Sequence, residues 1–350
     1  MYIYQKGCFV KLRHEITYLI FGLIVAVNFV AFAQNSTEKS LEMPKELIQP
    51  SYLKAGDTVA IVAPSGILKD RDREVQQAIN LLNSWDLNVI VGDYVYSQFN
   101  HFAGEDYERC IDIQKALDDP TISAIWCARG GYGTVRILDK LDYTKFKENP
   151  KWIVGYSDIT ALHNQVHNEG FQSMHALMCV SLTKDLTEIS NSINTFKSAL
   201  FGMPSDYTLE GSEFNKIGEV SGPLVGGNLT MLHTMLGSKE SIDTSEKILF
   251  IEEIGEYKYH IDRMLQSLKR AGYFDNLKGL VVGDMSKMRK NTTLWGTSVE
   301  QLILDALSDY DFPIAFNMPA GHEKDNRALI LGRRIELKVA KESTSVVFIN

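Results

Sequence analysis

The sequence predicts an α/β fold: an N-terminal domain built on a parallel sheet with helices on both faces, followed by a C-terminal mixed α/β domain containing antiparallel strands. Three observations carry this expectation. Short β-branched runs alternate with segments of helical period from about residue 58 to 167, the pattern of strand–helix crossover units. A polar, weakly patterned stretch at 184–215 then interrupts the alternation. Finally, short apolar runs at 328–331, 335–339 and 345–349 surround tight turns, as antiparallel strands do. The composition is that of an ordinary globular chain: 350 residues, 45% hydrophobic and 23% charged, with 9 prolines and 25 glycines. It excludes disordered and fibrous classes and leaves length for two modest domains.

The N-terminus departs from this average. Lys6, Lys11 and Arg13 precede an apolar stretch at 16–33 that closes on Ala31-Phe32-Ala33 before the polar Gln34-Asn35-Ser36. A basic segment, an apolar core and a small-residue end predict a secretory signal peptide over 1–33, followed by a tether over 34–50. The competing reading is an uncleaved membrane anchor, since the apolar stretch is nearly long enough to span a bilayer. Cys8 lies before the apolar core and so is not a lipoprotein cysteine. The formal charge is −8, and losing Lys6, Lys11, Arg13 and Glu15 with the signal leaves the remainder more acidic. That argues against a nucleic-acid partner. After cleavage no stable membrane insertion is expected, and the protein is expected to be exported, to the periplasm in a Gram-negative host.

The elements follow in order. A β-branched strand at 58–63 stops at Pro64-Ser65-Gly66, and its unbroken apolar run predicts burial on both faces. A helix is expected at 71–85, a strand at 87–91, a helix at 107–117, and a strand at 124–128 running into Arg129-Gly130-Gly131-Tyr132-Gly133. The apolar strand 152–155 breaks at Tyr156-Ser157-Asp158 into an amphipathic helix at 159–167, placing the first domain at 51–180 and a linker at 181–216. The second domain, 217–350, opens with Gly222-Pro223-Leu224-Val225-Gly226-Gly227-Asn228, followed by a helix at 229–236, a strand at 248–252, a helix at 261–271 and a strand at 280–282. No internal repeat is present. Cys110, Cys127 and Cys179 match neither a disulfide framework nor a CxxC site, and read as small buried residues. Asn35-Ser36-Thr37 and Asn291-Thr292-Thr293 fit the glycosylation sequon but matter only in a eukaryotic secretory pathway.

Few residues point to chemistry. Ser157 sits at the tip of a sharp strand-to-helix turn, where Oγ is exposed and the helix N–H groups face whatever it attacks. Ser-Asp at a helix start is also an ordinary N-cap, and the fifth residue is Ile159 rather than the Gly of G-x-S-x-G. Glu252 and Glu253 end an apolar strand, with Glu256 just beyond; they read as a rigid mount for orienting a histidine or as a solvated acidic turn. His322 lies in the loop Pro319-Ala320-Gly321-His322. The glycines at 130, 131 and 133 let backbone N–H groups approach an anionic oxygen, or simply make a flexible turn. His163 and His167 have zincin spacing but lack the intervening glutamate base, so no metal is expected there. Cys127, inside an apolar strand, reads as core.

Taken together, these segments resemble the LD-carboxypeptidase family of serine peptidases, which includes muramoyltetrapeptide carboxypeptidases and microcin C self-immunity peptidases. The resemblance runs from about residue 50 to 340. It rests on the start at Val59-Ala60-Ile61-Val62-Ala63-Pro64-Ser65, on Trp126-Cys127-Ala128-Arg129-Gly130-Gly131-Tyr132-Gly133, and on Val154-Gly155-Tyr156-Ser157-Asp158-Ile159-Thr160. It continues through Gly226-Gly227-Asn228-Leu229, Leu249-Phe250-Ile251-Glu252-Glu253, Ile261-Asp262-Arg263-Met264-Leu265 and Pro319-Ala320-Gly321-His322. The resemblance implies a Ser-Glu-His triad of Ser157, Glu252 and His322, with Gly131 and Asp158 as backbone donors of an oxyanion hole. It implies no metal or organic cofactor, and it favours a homodimer. Because Ser157 and Glu252 with His322 fall in different predicted domains, a site in the cleft between them is expected.

The expected activity is an exported serine carboxypeptidase that removes a terminal D-alanine from a murein tetrapeptide. Arg129, beside the glycine loop, is the candidate to bind the substrate carboxylate, its bland role being an ion pair that holds the loop. A microcin-immunity-type amidase acting on a peptidyl nucleotide is the enzyme alternative, disfavoured by export; a non-catalytic murein-binding protein is the alternative from another class. Where relatives commonly carry His-Gly-Pro, this chain has His175-Ala176-Leu177, which is expected to reshape one wall of the pocket.

Overall fold

The alternation of apolar residues in the first strand already dictates a three-layer arrangement. In β1 (Thr58–Val62), Val59 and Ile61 enter one buried cluster while Ala60 and Val62 enter another on the opposite face. A continuous apolar run is needed because successive side chains point to opposite sides and both sides are covered. The computed structural model describes residues 46–182, 185–203 and 206–349; the expected signal peptide and most of the tether fall at 1–45, outside the described residues.

The first half of the chain alternates as expected: β1, α1 (Asp72–Asn83), β2 (Asn88–Val91), α2 (Asp106–Asp118), β3 (Ile122–Cys127), α3 (Thr144–Glu148), β4 (Trp152–Gly155), α4 (Thr160–Asn168) and β5 (Ser173–His175). Helix α1 buries Val75, Ala78 and Leu82 on one face of the sheet, while α2 buries Ile113, Ala116 and Leu117 on the other. Next come α5 (Ser190–Leu200), β6 (Tyr207–Glu210), β7 (Gly218–Asn228), α6 (Leu229–Thr234), β8 (Ile248–Ile254), α7 (Lys258–Arg270), β9 (Gly279–Ser286) and α8 (Val299–Ala306). The chain closes with β10 (Ile314–Ala315), β11 (Leu329–Leu331), β12 (Arg334–Val339) and β13 (Ser343–Phe348).

Two sheets result. The first has the order β11-β5-β4-β3-β1-β2 and is parallel except for β11. The second has the order β10-β9-β8-β7-β12-β13-β6; its β10-to-β7 part is parallel and the rest antiparallel. In β8, Leu249 and Ile251 share a buried cluster with Leu265 of α7 and Ile303 of α8, whereas Ile248 and Phe250 join Trp126 and Val154 in a core shared with the first sheet. Both sheets lie within one compact unit, Glu46–Asn350.

Two expectations need correcting. Residues 329–331 do not join the C-terminal antiparallel strands. They pair antiparallel with β5 at the edge of the first sheet, Leu329 opposite His175 and Leu331 opposite Ser173. All three side chains are buried, the mark of a strand covered on both faces, while β12 alternates buried and solvent-facing positions. The stretch 181–216 also carries more than a connection. Its many Asn and Ser residues disguise α5, whose buried Phe196, Ala199 and Leu200 recur at helical spacing, and β6 pairs with β13.

Candidate active site

The nucleophile position is made by strand β4 ending at Gly155 and the chain reversing into α4 within a few residues. Ser157 sits in that reversal at φ +63°, a left-handed backbone that a side-chain-bearing residue adopts only when its surroundings enforce it. The glycine loop after β3 packs directly against this turn. A Cβ on Gly130 would come within 3.1 Å of the Ser157 Cβ and 3.4 Å of the Asp158 nitrogen, so a side chain here would crowd the turn.

Buried polar bonds lock that packing. The Asp158 carboxylate accepts from Ser65 Oγ (2.5 Å) and from the Thr134 N–H (2.9 Å), tying the ends of β1 and β3 to the turn. Arg109, fully buried, donates to the carbonyls of Pro64 (2.6 Å) and Gly133 (2.9 Å) and pairs with Asp106. Among the described residues, neither the Gly131 nor the Asp158 N–H is used in a turn or loop hydrogen bond. Arg129 donates to the Ile67 carbonyl and forms no ion pair among the described residues. Burial and the nearby Arg71 lower its pKa from the ordinary value.

Glu252 comes from the far sheet. Ile251 pairs with Val282 and Glu253 with Met285, so Gly283 and Asp284 both lie opposite Glu252 in a β-bulge, a device that re-aims side chains. Adjacent strand residues point to opposite faces, and the three carboxylates singled out in the sequence accordingly part company. Glu252, without solvent exposure, places Oε2 2.7 Å from His322 Nδ1. Glu253 turns to the start of α6, accepting from Thr230 N (2.7 Å), Thr230 Oγ (2.7 Å), Ile254 N (2.8 Å) and Asn228 Nδ2 (3.2 Å). Burial still raises its pKa. Glu256 lies 2.5 Å from His260 Nδ1.

His322 completes the arrangement, with Nε2 3.1 Å from Ser157 Oγ. Its loop is held on both sides by Asp284, whose N–H donates to the Ala320 carbonyl (3.0 Å) and whose carboxylate accepts from the Glu323 N–H (3.0 Å). Gly321, at φ +142°, sits where a Cβ would strike the Asp284 Cβ at 2.8 Å. Tyr156 meets the imidazole edge-on at 5.0 Å between ring centres. Burial works against the His322 charge, but the hydrogen bond and charge of Glu252, helped by Glu253 and Asp284, win and raise its pKa. Burial, with Glu323 and Glu252 nearby, pushes the Asp284 carboxyl up to about 6. Sequence reasoning missed Asp284 and the pinning roles of Asp158 and Arg109; for Asp284 no local signal exists, because its partners lie on a loop distant in sequence.

The other histidines are core. His163 Nε2 lies 3.0 Å from the Gly155 carbonyl and His167 Nε2 3.2 Å from Ser173 Oγ. Burial pushes their pKa values down to about 4 and about 3. His175 is likewise held at about 3, packed edge-on against Phe250. Cys127 is fully buried, and burial raises its thiol pKa well above the ordinary range. A cavity of about 170 Å³ opens beside His322, with Leu177 in its wall.

Comparison with known proteins agrees with this architecture. Residues 59–176 match the LD-carboxypeptidase N-terminal domain and residues 221–337 the LD-carboxypeptidase C-terminal domain. The probable murein peptide carboxypeptidase of Bacillus subtilis (strain 168) is 33% identical over 303 residues, covering 85% of this chain and 94% of that protein. The crystal structure of muramoyltetrapeptide carboxypeptidase from Oxalobacter formigenes superposes with a TM-score of 0.76 at 30% identity, covering 84% of this chain and 99% of that one. The microcin C7 self-immunity protein, at 21% identity and a TM-score of 0.76 over 86% of this chain and 98% of its own, shares the fold.

Proposed function

The chain belongs to the LD-carboxypeptidase family of peptidases, and from that premise we propose that it is an exported serine carboxypeptidase that releases the terminal D-alanine of murein tetrapeptides. The observation that carries this reading is the hydrogen-bonded chain from Ser157 Oγ through both nitrogens of His322 to the buried Glu252, at 3.1 and 2.7 Å. His322 takes the Ser157 proton as Oγ attacks the carbonyl carbon of the residue before D-alanine. Glu252 holds the imidazole with Nδ1 protonated and stabilises the imidazolium that forms. The N–H groups of Gly131 and Asp158 receive the developing oxyanion. The tetrahedral intermediate collapses as His322 gives its proton to the leaving amine, and water then hydrolyses the ester with His322 acting as base again.

Arg129 supports this chemistry from the glycine loop, as a cation without a carboxylate partner among the described residues. The relatives named for murein peptides favour the substrate class. The likeness to the microcin protein, at 21% identity, extends to the fold alone. Among the described residues no helix is long and apolar enough to cross a membrane; export rests on the predicted signal over 1–33.

Incubating the protein with purified murein tetrapeptide and following the products by mass spectrometry tests the reading. Loss of one alanine from the D-terminated peptide, with the all-L analogue and the pentapeptide nearly untouched, is the expected result. Equal cleavage of the D- and L-terminated tetrapeptides overturns the assignment and leaves a general serine hydrolase.

A further inference from the structure

If the proposed peptidase chemistry holds, the proton path fixes where the departing residue lies. The imidazole that takes the Ser157 proton must give it to the leaving amine, so that amine has to come within hydrogen-bond reach of His322 Nε2. The departing residue therefore sits on the imidazole flank of Ser157, away from the glycine loop.

On that flank the structure has the cavity of about 170 Å³. Its walls include Tyr156, Leu177 and Ile189, and its rim carries Lys324 immediately beyond His322 and Glu323. Arg129 is not among the residues that line it. The Lys324 ammonium lies 2.6 Å from Glu188 Oε2, and both side chains are well exposed, at 69% and 46%. An exposed pair of this kind contributes little stability, so the ammonium can exchange Glu188 for an incoming carboxylate at small cost. Glu323 is already engaged, its Oε1 accepting from Ser286 Oγ at 2.6 Å. The cavity thus offers apolar surface next to the reacting atoms and one exchangeable cation at its mouth.

We infer that this cavity is the subsite for the departing residue, built for a small aliphatic amino acid with a free carboxylate: Leu177 and Ile189 receive the side chain, and Lys324 releases Glu188 to bind the carboxylate. The carboxylate of the leaving D-alanine is then read by Lys324, and Arg129 serves the acyl side of the bond.

Steady-state kinetics on two tetrapeptides, one ending in D-alanine and one in D-alaninamide, test this with the full protein and its Lys324→Met and Arg129→Met variants. Lys324 is exposed, and Lys324→Met is expected to fold normally. The wild type should prefer the free acid. Lys324→Met should raise KM for the acid by about tenfold or more, the loss expected for a charge-assisted hydrogen bond, and erase the acid-over-amide preference. Arg129→Met should change both substrates alike and keep the preference. A preference that survives Lys324→Met, or one abolished by Arg129→Met, overturns the assignment of the carboxylate to Lys324 while leaving the peptidase intact. If the wild type cleaves neither peptide, the proposed function fails and this inference falls with it.

Discussion

The two flanks of the candidate site are built in different ways. On the serine flank, the turn itself is local and its fastenings are buried: β4 and α4 are separated by a few residues, and the glycine loop is held by Asp158 and Arg109, both nearly inaccessible to solvent. On the histidine flank, the parts come from far apart: Glu252 lies near the end of β8, Asp284 lies in the bulge of β9, and His322 sits on a loop that meets them only in the folded chain. One flank is a rigid, strained turn; the other is an electrostatic assembly of one imidazole among several carboxylates. The serine flank should therefore respond to mutation through backbone strain and packing, and the histidine flank through pH.

The largest expected effect breaks both flanks equally. Ser157→Ala and His322→Ala should each lower kcat by about 10⁴-fold or more, since triad members act as one unit, while thermal unfolding stays near that of the wild type. Ser157→Gly should sharpen the contrast: it is equally inactive, but it removes a side chain from a positive-φ position and should stabilise the fold by about 1 kcal/mol. A lower Tm for the glycine variant would show that the strain relieved is smaller than the entropy that glycine adds to the unfolded chain.

Glu252→Gln comes next, with turnover falling by about 10²- to 10⁴-fold, because the amide keeps some orientation but loses the charge that supports the imidazolium. Glu252 raises the His322 pKa, and the base form is lost as pH falls through that pKa. Removing the charge should therefore move the acid limb of kcat/KM to lower pH. Glu253→Gln should leave that limb almost in place and mainly weaken the start of α6. If Glu253→Gln were the crippling change, the division of labour between these neighbours would be wrong.

On the serine flank, Asp158→Ala strips a buried acceptor from Ser65 and Thr134, and should cost about 2–4 kcal/mol of stability as two hydrogen bonds to a charged group are lost. Urea unfolding measures it; a loss below 1 kcal/mol would mean that Arg109 and packing hold the glycine loop without Asp158.

The smallest and most diffuse effect is the response of stability to acid. His163, His167 and His175 are neutral in the fold, with pKa values of about 4, 3 and 3 against 6.5 when unfolded. Below pH 6.5 the unfolded chain binds protons that the folded one refuses, so stability falls as pH drops from 6.5 towards 4. Each histidine contributes up to about 1.4 kcal/mol per pH unit. Denaturation midpoints measured across that range should decline, and His163→Gln should flatten the decline; a midpoint independent of pH would contradict neutral burial.

What could be read in the sequence was whatever leaves a local period or a local break. The two-faced burial of β1, the sharp turn at Ser157 and the glycine loop are written in consecutive residues, because strand alternation, helix spacing and glycine act over a few positions. Three neighbouring carboxylates, by contrast, are chemically alike on paper. Which of them meets His322 was decided by a bulge in β9 and by the opposite facing of adjacent strand residues, and that depends on pairing with a distant strand. The same holds for residues 329–331, whose apolar run is compatible with either sheet until β5 takes it up. Asp284 had no sequence signal at all, since its hold on Ala320 and Glu323 is a contact between segments separated by more than thirty residues. Local periodicity specifies which elements form; long-range pairing and burial decide which side chains meet, and a catalytic constellation is made of such meetings.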